Sequence, residues 1–444
     1  MVTVLRTTWP LLLGILLVMI GAGMQGTLMG VRGAIEGMTT QQLAVVTSAY
    51  YGGFLAGSRI VPILLQRVGH VRVFAALGSM ISAVLVLYAA APHWLVWTVL
   101  RLAIGFGFVG VYVTAESWLN ASASNETRGQ ALSAYMIVQM LGIITGQVLM
   151  NVGDPGGWIL FVIPSVLVSL SFTPILLSSG PTPAFATLKP MGLRRLFAVS
   201  PLGCVGIFLM GGVLSALFGM APVWGTEMGF DVASISAFVA MIYVGGLVLQ
   251  FPVGWASDRH DRRQLLLGLV VIGAVAVAVV LALPLPIWGL LVVATIVGGV
   301  ANPGYSLLLA HANDYLDSAD MAAASAGLLF LNGLGSIAGP LVTGWLMARL
   351  GPDGYWIWIG MLLVVLAVYT AYRMTRRPAV ASTGFAVLAP EAMPLAIEAV
   401  LGEAQSGEDE DDEDDEDGDG AGDDLPDMGH SSGRPFALPP GIGD

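Results

Sequence analysis

The sequence predicts an all-α integral membrane protein: twelve transmembrane helices arranged as two pseudo-symmetric six-helix bundles. Composition, the count of apolar runs and a half-chain repeat predict it. Of 444 residues, 56% are hydrophobic and 11% charged, with mean hydropathy +0.80. Soluble domains carry about 45–50% apolar and about 25% charged residues, so this chain cannot cover its surface with charge. A soluble enzyme and a nucleic-acid binder are both excluded on that ground. The net charge of −12 is localised: residues 374–444 hold 18 of the 30 acids and 3 of the 18 Lys and Arg residues. The remainder is a nearly neutral apolar body.

A helix needs about 20 apolar residues to cross a hydrocarbon core of about 30 Å. Runs of that kind fall near 9–31, 42–65, 72–91, 94–118, 129–151, 157–178, 198–222, 234–256, 264–284, 286–311, 322–347 and 354–373. The first is too long for a signal-peptide core of about 7–15 residues and is read as an uncleaved span. With both termini in the cytoplasm, thirteen basic residues lie at inner helix ends and only Arg32 and Arg349 at outer ones. That asymmetry sets the orientation.

A shift of 193 residues superposes Gly105 on Gly298, Tyr112 on Tyr305, Asn120 on Asn313, Gly142 on Gly335 and Gly146 on Gly339. Duplicated six-span units with a substrate site between them are a common transporter plan. The expected division is residues 1–178 as the first bundle, 179–197 as a cytoplasmic linker and 198–373 as the second bundle. Residues 374–444 form an acidic, disordered cytoplasmic tail, in which Glu408–Asp417 is an unbroken acidic block. Asp415-x-Asp417-x-Asp419-Gly420 imitates the start of a calcium loop, but Pro426 stands where the bidentate glutamate belongs.

Several chemistries are absent. The single cysteine, Cys204, excludes an internal disulfide, and five scattered histidines never reach zinc-helix spacing. The only lysine, Lys189, sits between Leu188 and Pro190 rather than in a phosphate-cradling glycine loop. No metal or cofactor is expected, and a gradient rather than ATP would have to drive any transport. His311-x-x-Asp314 is the single acid–histidine arrangement that a membrane acyltransferase could use, and an enzyme is not expected.

The loop between spans 8 and 9 reads Gly254-Trp-Ala-Ser-Asp258-Arg259-His-Asp-Arg262-Arg263. Together with the spans and the repeat, it resembles the major facilitator superfamily, whose loop motif is Gly-x-x-x-Asp-Arg-x-x-Arg-Arg. The copy between spans 2 and 3 has Gln66 before Arg67 where the family has aspartate. Arg101-x-x-x-Gly105 is similar to the family's fourth-helix motif, which is associated with proton coupling. Glu116–Asn120 and Ala310–Asp314 resemble the YcaD-like bacterial branch. The resemblance implies the major facilitator fold, a bacterial inner-membrane location and secondary transport of a small molecule, with no substrate named.

The loop motif can bias an equilibrium in which inner helix ends are held together in one state and released in the other. In this fold the 66–72 loop faces the start of span 11. Arg67 and Arg72 are therefore expected to pair with Asp314, Asp317 and Asp320, compensating for the missing aspartate. Charges at membrane depth cost at least about 2.5–3.5 kcal/mol and face a partner or a wet cavity. Arg101, about 7 Å outward of the middle of span 4, is the leading candidate, as an anion hook or a partner in proton coupling. Glu116 is expected to pair with Arg59, and Arg32 with Glu36. Of the neutral polar residues Gln25, Tyr112, Gln139, Gln147, Gln250, Asn302, Tyr305 and Asn332, the repeat favours Tyr112 and Tyr305 as cavity-lining.

The expected function is alternating-access movement of a small organic solute, anionic if Arg101 holds it, with the proton as coupling ion. The chain is expected to act as a monomer in the lipid bilayer. The alternative is a membrane sensor or scaffold of transporter fold that signals through its acidic tail.

Overall fold

A computed structural model describes residues 2–122, 125–176, 191–316 and 318–376. The helices of the first half are α1 (Val2–Ile35), α2 (Thr40–Val68), α3 (His70–Ala90), α4 (Trp94–Ser122), α5 (Asn125–Leu149) and α6 (Ile159–Leu176). A short α7 (Leu193–Val199) precedes α8 (Pro201–Gly219), α9 (Ala221–Glu227), α10 (Val232–Ser257) and α11 (Arg262–Ala282). The chain then forms α12 (Ile287–Asn313), α13 (Ser318–Leu350) and α14 (Asp353–Met374). Among the described residues ten helices are long and apolar enough to cross a membrane. Of the other two expected crossings, α2 is diluted by Gln41, Gln42, Ser58, Arg59, Gln66 and Arg67, and α6 offers the shorter apolar stretch Ile159–Pro174.

Two expectations shift. The linker placed at 179–197 falls partly outside the described residues, and its end is helical as α7. There the Met191 N–H donates to the Ala323 carbonyl at 2.9 Å, and Arg195 pairs with Asp320 at 2.6 Å, tying the segment to the start of α13. The seventh crossing, expected as one run, is broken between α8 and α9. Pro222 lies in the first turn of α9, where its missing N–H costs least, and at the end of α8 the Leu217 carbonyl accepts from the Tyr355 hydroxyl at 3.0 Å. The acidic tail, with its calcium-like stretch, lies outside the described residues.

Duplication is visible in packing. In the first half α1 packs on α5 and α6, α2 on α4, and α3 on α4 and α6. In the second, α8 packs on α13 and α14, α10 on α12, and α11 on α12 and α14. Glycines allow the closest crossings: a Cβ at Gly105 would meet the Tyr50 carbonyl, and one at Gly298 the Ile242 carbonyl. Gly146 and Gly339 likewise lie against the backbones of α1 and α8. Without a hydrophobic force between helices in lipid, such backbone approach is a main source of association.

Turn chemistry repeats too, at a shift of 192. Gly37 and Gly229 both take positive φ, 72° and 73°, ending one helix before the next begins. Two residues later Thr39 caps α2, accepting from Gln42 N, and Asp231 caps α10, accepting from Ser234 N at 2.9 Å.

The halves meet through α2 with α13 and α5 with α10. Polar links join them near the end of the molecule where α1 finishes: Thr40 to Glu227, Asn151 Nδ2 to Ser236 Oγ at 3.2 Å, and Ser48 Oγ to the Ile337 carbonyl at 2.7 Å. The outer surface keeps large apolar side chains exposed, such as Phe251 at 78% and Trp288 at 75%. Contiguous apolar surface of this kind suits lipid.

Candidate functional site

Between the halves lies a cavity with about 1460 Å³ of space free of protein atoms, counting the part open to solvent. Its walls come from α1, α2, α4 and α5 on one side and α8, α10, α12 and α13 on the other. Arg101 is the only charged side chain among the described lining residues. It projects from α4, is 5% exposed, and donates from Nη1 to Gln25 Oε1 on α1 at 2.7 Å. Its guanidinium carbon stands 5.4 Å from the centre of the Tyr50 ring, a cation–π contact.

This pairing leaves charge and donors unspent. Among the described residues no carboxylate lies within ion-pair distance of Arg101, and its partner Gln25 is neutral. Arg101 Nε is buried without a hydrogen-bond partner. The Tyr88 hydroxyl lies against the Gln25 amide and within electrostatic reach of Arg101. A buried polar group left unpaired costs about 1–3 kcal/mol, more when it belongs to a charge. Such a cluster invites a ligand that supplies negative charge.

Other polar groups hold the walls. Thr27 Oγ1 donates to Gln147 Oε1 at 2.7 Å, and Gln147 Nε2 donates to the Gly23 carbonyl at 2.8 Å, fastening α1 to α5. Tyr112 lines the cavity with its hydroxyl 3.8 Å from Met19 Sδ. Asn302 and Asn332 line the opposite wall, and Asn302 Nδ2 donates back to the Gly298 carbonyl at 3.3 Å.

The structure thus brings Arg101, Gln25, Tyr112 and Asn302 to one cavity, with Gln139, Gln147 and Asn332. Tyr305 and Glu116 do not line it. Tyr305 is 1% exposed, and Glu116 is 2% exposed with the Tyr135 hydroxyl 3.3 Å from its Oε1. Gln250 is used between helices, donating to Ser306 Oγ at 3.0 Å. Sequence reasoning missed the aromatic lining, namely Tyr50, Tyr51, Phe54, Phe108, Phe218 and Tyr243. Their one signal was an unusual run of rings on α2, Tyr50-Tyr51-x-x-Phe54.

At the other end of the molecule the loop motif forms a local network. Gly254 is buried in α10, and Asp258 stands at that helix's C-cap. Arg259 folds back, 4.3 Å from the Trp255 ring centre and 3.0 Å from the Trp255 carbonyl. Arg262, 3% exposed, donates Nε to Ser257 Oγ at 3.1 Å and pairs with Asp314. Arg263 is clamped by Asp261, which also caps α11. Partial burial pushes the Asp261 carboxyl up, but hydrogen bonds from the Arg263 side chain and backbone outweigh it and hold the group below its ordinary 3.8.

This network corrects the expected partners. Asp314 goes to Arg262 and Asp320 to Arg195, while Asp317 lies outside the described residues. Arg67 and Arg72 are exposed and make no ion pair among the described residues. Arg59 stacks at 4.4 Å on Phe330 of α13 rather than pairing with Glu116. His311 meets the Tyr315 ring edge-on at 5.2 Å, while its neighbour Asp314 is engaged by Arg262. The Arg32–Glu36 pair is present at 2.6 Å, and Arg32 also caps the carbonyls of Pro155 and Gly156.

Comparison with known proteins follows the same fold. The family model described as Major Facilitator Superfamily matches residues 11–247 and, overlapping it, 203–401. An uncharacterized MFS-type transporter of Yersinia enterocolitica is 30% identical over 398 residues, 86% of this chain and 99% of its own. The uncharacterized MFS-type transporter YcaD of Escherichia coli is 28% identical over 373 residues, 81% of this chain and 94% of its own. Among solved structures, the nucleoside transporter NupG superposes with a TM-score of 0.68 at 15% identity, covering 84% of this chain and 100% of that one. A bacterial homologue of the human lysosomal transporter Spinster, inward-facing and occupied, gives 0.65 at 14% identity, covering 83% and 95%.

Proposed function

The chain belongs to the Major Facilitator Superfamily of membrane transporters, and on that premise we propose that it moves a small organic anion across the inner membrane by alternating access. The observation that carries this reading is Arg101, the sole charge on the described cavity wall, held by a neutral amide. An empty site keeps a buried cation; an anion neutralises it, so the loaded carrier rearranges through a low-dielectric interior more readily than the empty one.

With both termini cytoplasmic, the links near Thr40, Asn151 and Glu227 seal the outer face. This conformation is then the inward-facing one, and rocking the halves would break those links. Proton coupling falls to Glu116, whose Oε1 accepts from the Tyr135 hydroxyl at 3.3 Å and which does not line the cavity.

The test is uptake into proteoliposomes. Labelled organic anions are offered to the wild type and to Arg101→Ala and Arg101→Lys variants, each with and without an inward pH gradient. We expect Arg101→Ala to lose affinity by about 10- to 100-fold, the worth of one charged hydrogen bond of about 1.5–3 kcal/mol, and Arg101→Lys to retain part of it. Uptake unchanged in Arg101→Ala would remove the handle. Uptake indifferent to the pH gradient would remove the coupling.

A further inference from the structure

Resting on the reading of Arg101 as an anion handle, we propose that the substrate is an aromatic monocarboxylate, its carboxylate on Arg101 and its ring lying among the aromatic side chains of α2 and α4. Three independent observations converge.

The first is valence. Past Arg101 the described wall carries no second cation, only neutral groups such as Asn302, Asn332 and Ser336. A second carboxylate on the substrate would be desolvated against amides and hydroxyls without a counter-charge, and a doubly charged anion is therefore disfavoured.

The second is donor geometry. Arg101 Nη1 is committed to Gln25 Oε1, which turns the Gln25 amide nitrogen away from the guanidinium. Arg101 Nε has no protein acceptor, while the Gln25 amide lies against the Tyr88 hydroxyl. The guanidinium thus keeps donors beyond the one given to Gln25, and a planar carboxylate with two acceptor oxygens matches a guanidinium edge.

The third is the surface beside the handle. Starting from Tyr50, whose ring centre is 5.4 Å from the Arg101 guanidinium, rings continue without a gap. Tyr50 to Phe54 and Tyr50 to Phe108 are 6.3 Å between centres, and Phe54 to Tyr112 and Phe108 to Tyr112 are 6.2 Å. All four rings belong to residues that line the cavity. Across from them Phe218 and Tyr243 stack at 4.4 Å, making a second aromatic wall on the other half. An aryl body tethered by its carboxylate would meet the rings of α2 and α4 on one side of the cavity and the Phe218–Tyr243 pair on the other half.

The experiment is a thermal-shift titration of the purified full-length protein with four probes at matched concentration: benzoate, benzamide, benzylamine and succinate. It is repeated on Arg101→Ala and on Phe108→Ala. Benzoate should raise the unfolding midpoint of the wild type, and the other three should not. Arg101→Ala should abolish the benzoate shift, and Phe108→Ala should weaken benzoate binding at least fivefold. If succinate stabilises as well as benzoate, or Phe108→Ala leaves the benzoate affinity unchanged, the aromatic assignment falls while the anion handle stands. If benzamide or benzylamine matches benzoate in the wild type, or benzoate still binds Arg101→Ala, the handle itself falls. If none of the four probes shifts the wild type, the aromatic assignment is likewise overturned. Far-ultraviolet circular dichroism of each variant separates lost binding from lost folding.

Discussion

At the scale of single residues, the fate of a buried charge depends on its partner. The side chains of Arg262 and Asp314 are 2% and 6% exposed, and they neutralise each other where α11 begins and α12 ends. Arg101 is comparably buried but is met by an amide and an aromatic ring rather than a carboxylate. The first arrangement is self-neutralised, and the second is the one proposed to hold an anion. Removing one member of a buried pair costs about 3–5 kcal/mol, because the remaining charge is stranded. We therefore expect Asp314→Asn to lower the unfolding midpoint sharply, and Asp314→Asn with Arg262→Met to recover most of the loss. Thermal unfolding of both in the same detergent checks this; a double variant no better than the single one would show that the pair is not the source of the stability.

Candidate residues were legible where chemistry made them rare. Arg101 and Gln25 stand out as polar groups inside apolar runs, and both reach the cavity. Tyr305 and Glu116 met the same criterion but do not line it, because an apolar run says a group is buried without saying which way it faces. The rings of Tyr50, Phe54 and Phe108 gave the opposite problem: an aromatic residue in a membrane span has the same hydropathy whether it meets lipid, core or substrate. Partner choice around the loop motif was also hidden. Asp314 had arginines available from two loops, and packing of α11 on α12, rather than sequence distance, gives it to Arg262.

Elements were the most legible level. Hydropathy located the crossings to within a few residues, since the bilayer demands a run of set length. The break between α8 and α9 was not foreseen, because Pro222 fell at the end of the expected run, where proline is harmless. Here the break ends beside Phe218 and Gly219, at the cavity wall. Interrupted helices recur at transporter sites because they free backbone groups there. The glycine crossings make a quantitative expectation at this scale. A Cβ at Gly298 would collide with the Ile242 carbonyl, and one at Gly105 with the Tyr50 carbonyl, whereas Gly268 on α11 has nothing within 4 Å. Gly298→Ala and Gly105→Ala should each destabilise by about 1–3 kcal/mol as α10–α12 and α2–α4 are forced apart. Gly268→Ala should be neutral or slightly stabilising. Equal midpoints for all three would mean that close approach does not hold these pairs together.

For the whole molecule, duplication explains both the symmetry and the site. Each half repeats the same helix contacts and the same Gly37/Gly229 turn. The proposed site draws on where they differ: the cation and the α2–α4 rings in the first half and the broken crossing in the second. The space between them is closed near Thr40, Asn151 and Glu227. A transporter must open that end in another state.

Labelling of a cavity cysteine from each side of the membrane tests this most directly. In a Cys204→Ser background, Met140→Cys places a thiol on the cavity wall, where Met140 is half-buried. A membrane-impermeant thiol reagent is applied to intact cells and, separately, to inverted vesicles. Alternating access predicts labelling from both sides, with benzoate changing the ratio of the two rates. Labelling from one side alone, whatever ligand is present, would contradict the account.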